Sequence, residues 1–224
     1  MLEYLVGFFG DYGSLLGEAT IATLLMVTAS TLIAYAVGIP IAMLLKVTEP
    51  GSLWPQPVLN AVLGWIVNMG RSIPFIILMV FLLSLTRLLA GSAIGGQGAI
   101  VPLSVAAIPF VARMVESSFS EVSPGCIEAG RAFGANTFQI LTKLYLKESL
   151  PSMIRGAAIT YITLIGYSAM AGAIGAGGLG DVAIRYGYYR YQTEVLVATV
   201  IIMVILVQIV QSVSDFAARK IDKR

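Results

Sequence analysis

The chain has 224 residues, 58% of them hydrophobic and 12% charged, with a formal net charge of +2. Soluble domains carry about 25% charged residues, and the mean hydropathy here is +0.88, so this is the composition of an integral membrane protein with room for no sizeable soluble domain. Histidine is absent and Cys126 is the single cysteine, which excludes His-based general bases, His metal ligands, Ser-His or Cys-His pairs and an intramolecular disulfide.

Residues 1–18 contain no Lys or Arg, and the first basic side chain is Lys46. A secretory signal needs a charged n-region, so this stretch is expected to be an external N-terminal segment and the first span an uncleaved anchor. A helix needs about 20 apolar residues to cross a hydrocarbon core of roughly 30 Å. The first span is expected at about Ala19 to Leu45, with Pro40 near its end. The next apolar tract, Val58 to Leu89, would be about 48 Å long as one helix, too long for a simple crossing. Arg71-Ser72-Ile73-Pro74 interrupts it. One crossing from about Ile73 to Leu89 after an interfacial or tilted helix is the preferred reading, and two half-crossings are the rival. The third span is expected at Ala99 to Val115, the fourth at Met153 to Ile174 and the fifth at Val195 to Phe216.

Five crossings place the two ends on opposite sides. Lys46, Arg113, Arg131, Lys143, Lys147, Arg155, Arg219, Lys220, Lys223 and Arg224 then share one side. Arg87, Arg185 and Arg190 fall on the other, and Arg71 is undecided. The positive-inside rule puts the richer side in the cytoplasm, giving an external N-terminus and a cytoplasmic C-terminus. Splitting the second tract into two full crossings would separate the polar loop from the C-terminal basic cluster, which favours five crossings over six.

A polar island, Glu116 to Pro151, interrupts the apolar chain and carries its own start and stop signals. Ser123-Pro124 fits an N-cap with Pro at the first helical position. Gly134 suits a helix end because it adopts positive φ freely. Asn136 and Gln139 have the spacing of a capping box, and Pro151 is expected to limit the second helix. The expected unit is helix, Gly turn, helix. Its apolar and charged residues fit either a helix lying on the bilayer or a docking loop for a cytoplasmic protein.

Glu128-Ala129-Gly130, with Gly134 after three further residues, resembles the EAA loop of ABC importer permeases. Gly130 stands at a position that is usually Ala, and Lys147 stands where the family pattern has proline. The resemblance covers nearly the whole chain from about Glu18. Arg71 to Leu78, Pro109 to Glu116, Gly166 to Met170 and Gly175 to Gly180 are similar to the methionine-importer permeases in particular. The resemblance implies an all-α integral membrane fold with five transmembrane helices and a cytoplasmic helix-turn-helix coupling loop, working as a homodimer. It implies two copies of a cytoplasmic ATP-binding subunit holding ATP and Mg, no cofactor or catalytic residue in this chain, and an external substrate-binding lipoprotein delivering methionine. Ile127, Glu128, Ala129, Gly130, Arg131, Ala132, Phe133, Gly134 and Ala135 are the expected ATPase-coupling residues. The chain then divides into the external segment 1–18, one permease domain over 19–216 with its coupling loop at about 117–151, and a basic cytoplasmic tail over 217–224.

Gly175-x-Gly177-x-x-Gly180 matches a dinucleotide fingerprint but follows an apolar span rather than a strand. It is expected to form a tight external loop that lets helices approach closely. There is no GxxxxGK[ST], so the chain holds no ATP phosphates by that motif. The spans carry almost no ionisable residues, which argues against an ion-coupled carrier. An intramembrane enzyme lacks a catalytic dyad, and a passive channel would need no ATPase. No basic patch interleaved with aromatics speaks for nucleic acid; membrane lipid is expected around the spans, and the transport subunits are the partners the resemblance implies. Thr160, Thr163, Tyr167 and Met170 share one helical stripe, read either as helix packing or as pathway lining. Arg71 is read as a cytoplasmic-end anchor rather than a substrate contact. Tyr186, Tyr188, Tyr189 and Tyr191 are read as an interfacial aromatic belt rather than a docking site. Another small amino acid or a methionine analogue is the alternative substrate.

Overall fold

The structure, a computed structural model, describes residues 2–92 and 94–222, without the side chains of residues 2–6 and 9. Lys223 and Arg224, the last basic residues of the expected tail, lie outside the described residues. Every regular element among the described residues is helical.

α1 (Leu2–Thr48) is continuous through Pro40 and extends well before Ala19, so the expected external segment is part of the first helix. Asp11 and Glu18 both lie within this helix, whose apolar stretch runs from Gly10 to Thr48. α2 (Pro57–Ser72) starts with Pro at its first turn and ends at Ile73, whose backbone is extended at φ −82 and ψ 122. Pro74 is extended too, at φ −58 and ψ 134. Proline disfavours helix in the residue before it, which accounts for the break at this place. α3 (Phe75–Phe81) and α4 (Leu83–Ala90) follow. The tract is thus divided more finely than the single Ile73 to Leu89 crossing expected. By length and apolarity α2 and α3 together form one broken candidate span.

α5 (Gly96–Ser120) and α11 (Thr193–Ile221) are long and apolar enough to cross a membrane, as is α1 from Gly10 onward. α9 (Leu150–Gly172) covers the fourth expected span with 23 residues, about 34 Å at about 1.5 Å per residue. It is long enough to cross but is not among the helices that pass on apolarity. Its Arg155, Thr160, Thr163 and several glycines dilute the hydropathy.

Two compact units are distinguished. One comprises the described residues up to Leu32, with Pro74–Val105 and Tyr161–Val210. Its core joins Leu16, Ala19, Leu179, Val182 and Val195. Here the glycine loop serves close packing. Gly175, Gly177 and Gly178 have φ of +88, +77 or +78. A Cβ on Gly180 would lie 2.5 Å from the Ala169 backbone, and one on Gly172 would lie 2.3 Å from Asp181 N. The Leu179 N–H, opening α10 (Gly178–Val182), donates to Thr23 Oγ1 at 2.9 Å. A π-helical turn, Ala183–Tyr188, completes this segment.

The other unit comprises Ile33–Ile73, Ala106–Thr160 and the described residues from Gln211. Leu45, Val67 and Ala112 form its buried cluster with Ile41 and Leu63. Lys46, Arg113, Arg131, Lys143, Lys147, Arg155, Arg219 and Lys220 all belong to it, and so does Arg71. Arg87, Arg185 and Arg190 belong to the first unit.

Candidate coupling surface

The polar island folds as a compact pair of helical arms. α6 (Pro124–Ala132) begins with Pro124 at its first turn, where the missing N–H is one that would be unpaired anyway. Ser123 occupies the N-cap, but its side chain makes no capping hydrogen bond. The other end is fully capped. The Gly134 N–H donates to Arg131 O at 2.9 Å and the Ala135 N–H to Gly130 O at 3.0 Å, with Gly134 at φ +78. This double bond set around a left-handed glycine is the Schellman arrangement. It closes the helix within one residue and turns the chain sharply.

The second arm opens on the expected capping box. Gln139 N–H donates to Asn136 Oδ1 at 2.9 Å, and Asn136 N–H donates to Gln139 Oε1 at 3.0 Å. α7 (Thr137–Gln139) runs directly into a π-helical turn, Ile140–Tyr145, and then α8 (Leu146–Glu148). The arm does not end at Pro151. Ser149 N–H donates to Tyr145 O and Met153 N–H to Ser149 O, so the arm passes into α9. Pro151 lies in the first turn of α9, where a proline is tolerated because its N–H is not needed. Lys147, at the position of the family proline, is exposed.

Burial separates the coupling residues into an inner and an outer face. Ile127 is buried, and Gly130 and Ala135 are half-buried. Glu128, Ala129, Arg131, Ala132, Phe133 and Gly134 are exposed, Phe133 at 91%. Phe138 on the second arm is 72% exposed. Gly130 faces Leu144 across the two arms. A concavity of about 420 Å³ runs over this junction, lined by Gly130, Phe133, Gly134, Gln139, Lys143 and Leu144 among others. The outward surface is therefore a charged helix flanked by two solvent-facing aromatic rings. Such rings have an apolar area to bury against a partner.

The inner face ties the island to the ends of α1 and α5. Phe119 and Tyr145 rings meet at 5.5 Å. Glu121 Oε1 accepts from Ser152 Oγ at 2.7 Å, and Ser118 Oγ lies 3.1 Å from Ser152 Oγ. Lys46 Nζ pairs with Glu49 at 2.8 Å. A cavity of about 280 Å³ remains between Lys46, Ser52, Ser120, Ile127, Arg131 and Tyr145. Burial pushes the Tyr145 phenol above its ordinary pKa, with Lys46 opposing, Glu49 reinforcing and Arg131 opposing. The hydroxyl therefore stays protonated at neutral pH.

The second set of candidates lies along α9 but is unevenly open. Thr160 is buried and its hydroxyl donates to Gly156 O at 2.9 Å. Thr163 is half-buried. Tyr167 stacks on Phe75 with ring centroids 4.6 Å apart. Met170 is 49% exposed. Elsewhere, Tyr188, Tyr189 and Tyr191 are exposed, whereas Tyr186 packs against the first unit's core beneath Arg190. Arg71 is exposed in the last turn of α2. Among the described residues, no group of three or more His, Cys, Asp or Glu is placed to hold a metal ion.

Sequence reasoning did not single out Phe119, the π-helical turn or the partners of Arg113. The first two depend on packing between distant segments. Arg113 with Glu116 in an apolar helix was a visible signal, but Asn68 and Gly64 as its partners were not.

Comparison with known proteins places this surface in a context. The family described as binding-protein-dependent transport system inner membrane component matches residues 38–224. The chain belongs to this family. This inner-membrane component is 46% identical over 216 residues to the probable D-methionine transport system permease protein MetI of Vibrio cholerae, covering 96% of each chain. It is 42% identical over 181 residues to the methionine import system permease protein MetP of Bacillus subtilis, covering 81% of this chain and 82% of that one. Among solved structures it resembles a chain of the MetNI methionine ABC transporter in an inward-facing conformation. The TM-score is 0.93 at 44% identity, covering 95% of this chain and 99% of that one. A chain of an amino acid ABC transporter shares the fold at a TM-score of 0.77 and 18% identity.

Proposed function

We propose that this chain is the membrane-spanning permease subunit of an ATP-driven methionine importer. It acts as a dimer of two copies, with two copies of a separate ATP-binding subunit in the cytoplasm. The observation that carries the reading is α6. It is a short helix capped at its far end, with Glu128, Arg131 and Phe133 facing outward while Ile127 anchors it inward. An exposed arginine and an exposed aromatic ring on a helix anchored from behind are the residue types enriched in protein–protein contacts, which supports docking of this face on a partner. The identity to methionine permeases along nearly the whole chain supports methionine as the substrate.

ATP and Mg belong to the partner, which performs the hydrolysis. The segment from Ile127 to Ala135 docks there and passes its movement to α5, three residues upstream of α6. Access to the path then alternates between the two sides of the membrane. An external substrate-binding lipoprotein delivers methionine, and lipid surrounds the apolar helices. Those of the basic side chains expected on the cytoplasmic side that lie among the described residues fall in the same unit as α6, which supports a cytoplasmic island and C-terminus with the N-terminus outside. Along α9, Met170 is open while Thr163 and Tyr167 are half-buried, and this part of the stripe is the proposed place of a transient substrate contact.

The test is uptake of labelled methionine, presented on the substrate-binding lipoprotein, into proteoliposomes holding this chain and its ATP-binding subunit. Uptake is expected only with ATP and the ATP-binding subunit present, and unlabelled methionine is expected to compete. Efficient competition by another amino acid but not by methionine would reassign the substrate. Uptake without the ATP-binding subunit would make the chain a passive channel.

A further inference from the structure

Arg113 is a half-buried ionisable residue near the end of an apolar helix, and a charge taken out of water is costly unless paired. Here all three guanidinium nitrogens are engaged. Nη1 bonds Glu116 Oε2 at 2.6 Å on its own helix. Nη2 donates to Gly64 O at 3.0 Å, and Nε donates to Asn68 Oδ1 at 3.2 Å. The last two acceptors are on α2, one helical turn apart. The fork of the guanidinium fits two acceptors so spaced, whereas a lysine ammonium is a point donor.

The neighbouring packing has the same effect. A Cβ on Gly70 would lie 2.6 Å from Pro109 Cγ, and one on Gly64 would lie 3.2 Å from Arg113 Nη2. Two glycines of α2 thus let α5 approach closely, and Val67 is buried with Ala112 between them. α5 is also the helix that leads into α6 through Glu121, Val122 and Ser123.

We infer that Arg113 is a positioning residue that locks α2 to α5, so that the displacement α6 receives is carried into α2 and not lost between the two helices. Glu116 holds the guanidinium in register and neutralises it. Asn68 and Gly64 are its receivers. The transport consequence rests on the proposed function above. The lock itself does not, and it has a readout of its own.

The distance between α2 and α5 is measured by spin labels at Val58 and Ser117, both exposed. Cys126 is replaced by serine in this background, and the complete transporter is used in proteoliposomes. The unsubstituted lock is expected to give one narrow distance population. Arg113→Gln broadens it or adds a second population. Asn68→Ala, which removes one receiver at an exposed position and strands no charge, broadens it less. Methionine taken up per ATP hydrolysed is measured on the same samples. It is expected to fall by about tenfold in Arg113→Gln, a size within the range of coupling effects, while hydrolysis is largely retained. Arg113→Lys keeps the charge but not the fork and stays uncoupled. Unchanged distances in both Arg113→Gln and Asn68→Ala overturn the lock, and full coupling in Arg113→Lys overturns its transport consequence. If the unsubstituted transporter moves no methionine while the distances respond as expected, the lock stands and the substrate reading fails.

Discussion

Gly130 lies so close to Leu144 that a Cβ added to it would sit 2.5 Å from Leu144 Cδ1. This contact sets the spacing of the two arms of the island, because the other nearby atoms are 3.9 Å away. The opposing atom is the end of a flexible, half-buried side chain and not backbone. Gly130→Ala, the residue of the related pattern, is therefore expected to be nearly neutral. The helix-propensity gain of about 0.8–1.0 kcal/mol offsets a Leu144 rotamer shift of about 0.5–1.5 kcal/mol. Gly130→Leu forces the arms apart and costs about 1–3 kcal/mol. Thermal unfolding in detergent distinguishes the two, and a larger loss for alanine than for leucine would contradict the contact.

Phe133 predicts a separation of binding from stability. Its ring is 91% exposed, so Phe133→Ala removes little packing from this chain. Buried aromatic anchors at an interface are worth about 2 kcal/mol or more, about 30-fold in affinity. The affinity for the ATP-binding subunit, measured by titration of the detergent-solubilised partners, is expected to fall by that factor with an unchanged melting temperature. Equal affinity in the variant would remove Phe133 from the docking surface.

The glycine loop of the first unit predicts a contrast between two alanine substitutions. Gly180→Ala drives a methyl to 2.5 Å from the Ala169 main chain, which cannot rotate away. It is expected to cost about 3 kcal/mol, at the upper end of overpacking. Gly166 on α9 has nothing within 4 Å of an added Cβ, and Gly166→Ala is expected to be neutral or stabilising by up to about 1 kcal/mol. Melting temperatures of the two variants in one detergent give the comparison. A smaller loss at Gly180 than at Gly166 would contradict the packing described.

Local chemistry was legible in the sequence wherever a few adjacent residues decide the geometry. The Asn136–Gln139 capping box and the left-handed Gly134 are of this kind, because each is specified within four residues. Pro74 likewise marked the break after α2. Pro151 misled because proline suits the first turn of a helix as well as the stretch beyond its end, and only the hydrogen bonds around Ser149 decide between them. The π-helical turn at Ile140–Tyr145 has no signature in its own residues, and its Tyr145 packs on Phe119, 26 positions earlier by their numbers. The stripe from Thr160 to Met170 was correctly placed on one helix. Its uneven exposure depends on neighbours such as Gly156 and Phe75 that spacing alone does not supply. The lock at Arg113 joins residues 45 and 49 positions apart, beyond the reach of any local pattern.

In the proposed function, the Gly134 turn transmits the partner's work to this chain. Nothing lies within 4 Å of a Cβ at Gly134, yet its φ of +78 disfavours any other L residue. The left-handed conformation costs such a residue about 1–2 kcal/mol, and a large side chain there projects into the docking surface. The most direct measurement is methionine taken up per ATP hydrolysed by the complete transporter carrying Gly134→Trp in proteoliposomes. Hydrolysis that continues while uptake per ATP falls by about tenfold or more is the predicted result, within the range of known coupling effects. A Gly134→Trp transporter that imports methionine with the unsubstituted ratio would contradict it.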